Sequence, residues 1–391
     1  MARGTSTPAI RRSPRPGRSV SGPRPTPKRS STTSRCVPSI RWPGRAMTDD
    51  RVCLALACVA LAFASGCDSC DSQANEATAY TSVDQVFSEP IFRHCEEAGD
   101  LSVRSLFDTE ETKSTGVLNR LIAEADHPQA DVFWSGDPVR PFLLVERGLV
   151  APYRSPNAEG LPGAFQASDG TWTGFAARAR VLLVNSDLVS EADTPRSIRD
   201  LAEARWRGQT AIANPLFGTT TMHVAALFSV WGDDEAKAFL NRLRENEVRI
   251  AASNGEVKRL VVSGEVAFGL TDTDDAHEAL AGGAPVRVVY PDQGDQGEQD
   301  DLGTLVMPTV AVLLAGGPHP EAGRQLIDCL LSAEVEGRMA TSAAHMPLRA
   351  GVDVPEHVTA LSNIEAMEVD YASVARTMER IDPWLREWVG L

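Results

Sequence analysis

Tyrosine is scarce in this chain. Only four of 391 residues are Tyr, and none falls between 154 and 289, so that stretch offers no phenolate to a metal. Beyond the N-terminal apolar run and Cys67, only Cys70, Cys95 and Cys329 remain, an odd set with neither C-x-x-C spacing nor a neighbouring His pair, which argues against a zinc site and against a disulfide framework. The apolar run Val52 to Ala64 is 13 residues long, short of the roughly 20 that span a bilayer. G-x-S-x-G, H-E-x-x-H, P-loop and G-x-G-x-x-G signatures are missing, which removes the commonest hydrolase and nucleotide-binding readings. Positive charge is also scarce beyond the N-terminus. Residues 1–46 hold 11 Lys or Arg and no acid, leaving 27 bases against all 53 acids, a net −26, for residues 47–391. A body that acidic repels phosphate backbones and excludes nucleic acid as a partner.

The length suggests two compact units, and 42% apolar residues suffice for their cores. Residues 1–46, rich in Pro, Ser, Arg and Gly, cannot bury a core and read as a disordered basic extension. Either they form a polyanion-binding arm, or they are an upstream extension of the reading frame with Met47 as the true start. Residues 47–67 have the anatomy of a secretory signal: Arg51, the apolar run, then Ala64-Ser65-Gly66-Cys67. The small-small-Cys ending resembles a bacterial lipobox, which makes Cys67 the lipidated first residue of the mature chain and 68–76 its tether. A plain cleaved signal and a soluble periplasmic protein is the alternative. Cys95 and Cys329 then read as small core residues on helices, with a bond between them in the oxidising periplasm as the alternative.

From residue 77 short apolar runs alternate with helical stretches, which predicts an α/β fold with parallel sheets covered on both faces. Strands are expected at 131–134, 180–185, 210–213, 266–271, 286–290 and 306–314. Helices are expected at 88–97, 115–125, 138–148, 197–204, 220–230, 233–246, 255–262 and 320–331. Ligands of such folds lie beyond the carboxyl ends of strands. Those turns are polar here. Asn214 to Thr221, with Gly218, Thr219 and Thr220 directly before a helix, makes an anion cradle, although a threonine there also serves as an ordinary N-cap. Ser253-Asn254-Gly255 is a weaker version. Leu270 to Asp275 puts Asp272, Asp274 and Asp275 at the end of a buried strand, where three carboxylates repel one another unless a cation joins them. Acids complementing a helix dipole account for one or two of them.

Taken together, Tyr80-Thr81-Ser82-Val83-Asp84, Ala130 to Ser135, Gly174 to Val181, Asn214 to Thr220, Ser253 to Gly255 and Thr271 to Asp275 resemble the ferric-ion-type solute-binding proteins of ABC importers. The resemblance implies a two-lobed type II periplasmic binding-protein fold with the ligand cleft between lobes. Lobe one is 77–179 plus 304–352 and lobe two 180–303 plus 353–391. It assigns Asp84 and the Gly136-Asp137 turn to the metal side of lobe one, and Gly218, Thr219, Thr220 and Asn254 to a synergistic anion such as phosphate or carbonate. Asp272, Asp274 and Asp275 complete the metal set, with Tyr80, Ser82, Thr115, Arg178, Arg180 and Thr273 as secondary candidates. Where well-known members present adjacent tyrosines, this chain has Thr273-Asp274-Asp275. Oxygen-only ligands suit a hard cation such as ferric iron, and a carboxylate cluster facing an anion cradle equally suits a zwitterion such as an aminophosphonate.

The expected mechanism is capture by closure. Ligand contacts made by both lobes favour the closed form, which an ABC permease and its ATPase recognise. The implied protein is a monomer held by lipid at the periplasmic side of the inner membrane, with no catalytic cofactor. A metal-dependent phosphoesterase and a sensor lipoprotein are the alternatives from other classes. Arg178 and Arg180, on one face of a strand, supply either an anion contact or a salt bridge between lobes. His223 reads as a packing residue, residues 292–301 as a solvated insertion rather than a calcium loop, and Trp384 with Trp388 as helix packing.

Overall fold

The computed structural model describes residues 75–108, 115–294 and 302–390, all within the unit Gly66–Leu391. The basic extension, the signal with Cys67, most of the tether, and residues 109–114 and 295–301 lie outside the described residues. Strands β1 (Glu76–Thr81), β2 (Ser102–Phe107), β3 (Val132–Ser135) and β4 (Val150–Ala151) alternate with helices α1 (Gln85–Ala98), α2 (Thr115–Ala123) and α3 (Val139–Glu146). Strand β5 (Thr173–Asn185) is buried along all 13 residues. After it come β6 (Thr210–Ala213), α4 (Gly218–Trp231), α5 (Asp233–Glu245), β7 (Arg249–Ala251), α6 (Asn254–Val262), β8 (Phe268–Asp272), α7 (Thr273–Ala281) and β9 (Val286–Val289). The chain returns through β10 (Val306–Leu314), α8 (Pro320–Leu330), α9 (Ala333–Ala343) and α10 (Tyr371–Val389).

These strands form one curled sheet in the order β2-β1-β3-β10-β5-β8-β6-β7, with β4 against β10 and β9 against β5. Parallel pairing holds among β2, β1 and β3 and among β7, β6 and β8, as alternation predicts. It fails in the middle. β10 runs antiparallel to β3, β4 and β5, and β5 antiparallel to β8 and β9, because these strands connect the halves instead of belonging to βαβ units. β5 pairs with β10 through Ala179 and with β8 from Arg180 onward. Between Ala177↔Pro308 and Phe175↔Thr309 the register shifts, and Ala176, at φ 44°, is the extra residue of a bulge. Buried Glu336 accepts its backbone N–H at 3.1 Å, so the irregularity leaves no orphan donor.

The segment 197–204 departs from expectation. It forms a short 3-10 turn, Ile198–Ala202, in which Ile198 and Leu201 are the buried pair. A three-residue spacing suits a helix with three residues per turn. Strands β1, β2, β4 and β7 are additional to the expected ones. Cys95 on α1 and Cys329 on α8 are bonded to each other, so of the two readings the pairing holds, against the one favoured from sequence, as a disulfide joining residues 234 apart. The two helices pack against each other, with α1 on β2 and α8 on β1, and the Cα atoms are 5.7 Å apart. Asp292, expected in a solvated insertion, is 5% exposed and receives the Ile198 N–H. Helix α10 lies across α3 and α4, tied to α3 by Arg147–Glu379 and Arg376–Glu146 and packed on Phe228 of α4 through Trp384. Among the described residues no helix is long and apolar enough to cross a membrane.

Candidate functional site

The carboxyl ends of β1, β2, β6 and β8 open onto one cavity of about 520 Å³. Its deepest polar group is the Asp272 carboxylate, 1% exposed at the end of β8. The chain supplies the countercharge itself. Arg180 Nη1 donates to Asp272 Oδ1 at 2.5 Å, and Arg178 Nη1 donates to Asp272 Oδ2 at 3.2 Å and to Asp274 Oδ2 at 3.0 Å. Residues 178 and 180 share a strand face, and they flank the point where β5 changes partners. Arg178 Nη2 also donates to the Gly136 carbonyl at 2.6 Å, so one guanidinium ties the turn after β3 to the turn after β8. Burial opposes the charge on Arg178, but Asp274, Asp272 and Asp84 together hold its pKa above the usual arginine value.

The third acid is handled separately. Asp275 receives Thr271 Oγ1 at 3.1 Å and lies 3.5 Å from Lys258 Nζ, which also pairs with Glu278. Burial works against the charge on Lys258, while Glu278 and Asp275 hold its pKa up. The repulsion anticipated from three clustered aspartates is therefore relieved by Arg178, Arg180 and Lys258 without an added cation. Among the described residues no group of three or more His, Cys, Asp or Glu converges as a metal site.

The anion cradle has a similar internal bracing. Arg180 Nη1 reaches Thr219 Oγ1 at 3.0 Å and Asn254 Oδ1 at 3.1 Å, and its Nη2 reaches Thr220 Oγ1 at 3.2 Å. Thr219 Oγ1 donates to Asp272 Oδ2 at 2.9 Å, and Asn254 Nδ2 to the same oxygen at 3.2 Å. These side chains are thus occupied with one another, and what the cradle presents is backbone. The N-cap of α4 is Phe217, whose side chain has no oxygen to cap with and makes no cap hydrogen bond. Gly218 sits at φ 58°, and a Cβ there would meet nothing within 4 Å. The first N–H groups of α4 and its positive dipole end consequently face the cavity. Ser253, by contrast, caps α6 by accepting the Glu256 N–H.

Of the residues singled out from sequence, Ser82, Asp84, Arg178, Gly218, Thr219, Thr220, Asn254, Asp272, Asp274 and Asp275 line this cavity. Arg180 lies behind it. Asp137 is elsewhere: it is fully buried, caps α3 through the Val139 N–H and pairs with Arg140 Nη1 at 2.7 Å, because the turn after β3 folds back onto its own helix. Tyr80 turns its hydroxyl to Glu124, and Thr273 Oγ1 accepts the Ala179 N–H. Thr115 begins α2 and does not line the cavity. Asp108 and Phe217 belong to polar strand-to-helix turns legible in the sequence but were not named as site residues, and Lys258 and Glu278 were missed. Lys258 falls one turn after Asn254 on α6, and Asp108 directly follows β2.

Two buried histidines flank the site without entering it. His223 is neutral, with burial and Arg180 pushing its pKa down to about 3. His345 Nε2 is 4.0 Å from Asp274, too far for a hydrogen bond, and burial lowers its pKa as well.

A cavity framed by strand ends from both halves of a curled sheet, with helix starts aimed into it, defines a two-lobed binding protein of the periplasmic type. Residues 128–373 match the family described as bacterial extracellular solute-binding protein, and the chain belongs to that family. Its fold is that of iron-bound HitA from Pseudomonas aeruginosa, with a TM-score of 0.72 at 22% identity over 81% of this chain and all of that one. It is 26% identical over 275 residues, 70% of this chain and 74% of the other, to a putative 2-aminoethylphosphonate-binding periplasmic protein of Salmonella typhimurium. It is also 25% identical over 268 residues, 66% of this chain and 72% of the other, to iron uptake protein A1 of a Synechocystis species. This is a periplasmic solute-binding protein of the ABC-importer class, a component that binds a small ligand and works with a permease and an ATPase. Family and fold are those of binding proteins rather than enzymes.

Proposed function

We propose that the cargo is a small solute with a phosphonate or phosphate head, held at the start of α4 and released to an inner-membrane permease. The observation that carries this reading is the uncapped helix start at Phe217-Gly218, open to the cavity and backed by the buried Arg180 guanidinium. Ferric iron with phosphate or carbonate at the same cradle is the second reading. It is favoured by the carboxylates Asp84 and Asp275 on the cavity wall and by the iron-binding relative, but the position among Asp272 and Asp274 that a metal would neutralise is taken by Arg178. The protein acts as a monomer, anchored through lipid on Cys67 after removal of residues 47–66.

Isothermal titration of the mature protein with 2-aminoethylphosphonate, and separately with ferric citrate plus phosphate, tests the two readings. Gly218→Asp places a carboxylate at the helix start, and weakens phosphonate binding at least tenfold, about 1.4 kcal/mol. Tight ferric binding that ignores this substitution, with no phosphonate bound, would overturn the proposal.

A further inference from the structure

A second cavity, of about 540 Å³, shares no lining residue with the first. It opens where the connecting strands begin. Val306 starts β10, Trp172 directly precedes β5, and Tyr371 at the head of α10 donates its hydroxyl to the Val306 carbonyl at 2.8 Å. Aromatic residues are 6% of the chain, yet Phe142, Phe165, Trp172 and Tyr371 all line this one groove. The Phe142 and Trp172 rings, 5.1 Å apart and inclined at 59°, make a corner rather than a closed stack.

The charge along the groove has one sign. Glu368 and Asp370 line it, both exposed, and no Lys or Arg does. Asp370 accepts the Ala372 N–H at 3.2 Å and stands 4.0 Å from Arg376, an exposed pair of the kind that contributes little, and Arg376 is nearer to Glu146 at 3.2 Å. The net −26 of residues 47–391 also draws cations toward the surface.

Ring faces attract a cation through their quadrupole. A metal ion asks for converging ligands, and among the described residues no group of three or more His, Cys, Asp or Glu supplies them. A primary ammonium asks for acceptors for its N–H bonds, which ring walls do not offer. A quaternary ammonium has no N–H to satisfy, methyl groups to bury against Met367 and Val306, which are 5% and 2% exposed, and a diffuse charge suited to ring faces beside a carboxylate. An uncharged apolar group would match the rings but gain nothing from the acids.

We propose that this groove is a second binding site, for a small organic cation with a quaternary ammonium head, which Phe142, Trp172 and Tyr371 surround and Glu368 neutralises. The site is independent of what the first cavity carries.

Ligand-observed NMR titration of the mature protein with choline, and with neohexyl alcohol, its neutral isostere in which carbon replaces the ammonium nitrogen, tests the inference. Choline binds at least tenfold more tightly, a difference of about 1.4 kcal/mol. Trp172→Leu keeps an apolar wall without the ring face, and Glu368→Gln keeps the side chain's shape at an exposed position; each cuts that ratio to about threefold or less. Equal affinity for the two probes, or no saturable choline binding, overturns the proposal. A ratio preserved in Trp172→Leu puts the cation outside this groove and overturns the site, and one preserved in Glu368→Gln overturns the part given to that carboxylate.

Discussion

Arg178→Met removes the charge between Asp272 and Asp274 while keeping most of the side chain's bulk. Both carboxylates are within 3.2 Å of Arg178 and no more than 6% exposed, so the variant leaves buried negative charge without its main partner. Taking one member from a buried pair costs about 3–5 kcal/mol. The lower end applies, because Asp272 keeps Arg180 at 2.5 Å along with Thr219 and Asn254. A loss of about 3 kcal/mol corresponds to roughly 5 °C or more in Tm for a protein of this size. A divalent cation able to enter the cavity would take the vacated place, so manganese is expected to raise the Tm of Arg178→Met and to leave that of the wild type nearly unchanged. Differential scanning fluorimetry, with and without manganese and with chelator as control, reads both effects. Arg178→Lys falls between, since an ammonium retains the charge but cannot reach both aspartates and the Gly136 carbonyl in one plane. If Arg178→Met melts with the wild type and ignores manganese, then the guanidinium is not what makes the aspartate turn tolerable.

Other expectations are independent of the cargo. Replacing Cys95 and Cys329 together by Ser opens a loop of 234 residues, and chain entropy sets the loss near 5 kcal/mol; equal urea midpoints for the oxidised wild type and the double variant would contradict this. Burial pushes the pKa of Asp292 up to about 6, above its unfolded value, so its favourable contribution is present below about pH 4 and is lost as pH rises through 6. Asp292→Asn therefore gains about 2–3 kcal/mol at pH 8 and almost nothing at pH 4, as compared by urea unfolding at the two pH values. On β8, a Cβ at Gly269 would lie 2.5 Å from Val257 and 2.9 Å from the Ala211 carbonyl, so Gly269→Ala forces β8 away from β6 and α6. That overpacking costs about 1–3 kcal/mol, and an unchanged melting curve would refute it.

Alternation of apolar runs with amphipathic stretches made the α/β class legible, and the polar strand-to-helix turns located most of the cavity wall. Residue types at a turn do not reveal what each side chain is already bonded to. Asp272 and Asp274 were recognisable as buried acids, but the arginines that neutralise them stand more than 90 residues earlier, and only the β5–β8 register brings them together. Asp137 carried the same polar signature as its neighbours and instead caps its own helix, a local bond that competes with any ligand role. Thr219, Thr220 and Asn254 line the cavity, yet their oxygens are spent on Arg180, which leaves the backbone N–H groups as the donors facing it. The cysteine pair illustrates a different limit, since spacing in sequence says nothing about two helices meeting in space.

Ala176 gives β5 one residue more than its partner needs. On a pleated strand each inserted position inverts the outlook of everything on one side of it relative to the other. The parity of Arg178 and Arg180 is measured from Met307 and Asp272, while that of Thr173 and Phe175 is measured from Ala311 and Thr309, and Ala176 reconciles the two counts. Excising this alanine would force a choice between keeping aromatic Phe175 stacked on Trp134 and keeping both guanidiniums pointed at the aspartates. A small apolar residue with no polar contact of its own side chain thereby decides which way the charges of the recognition surface look.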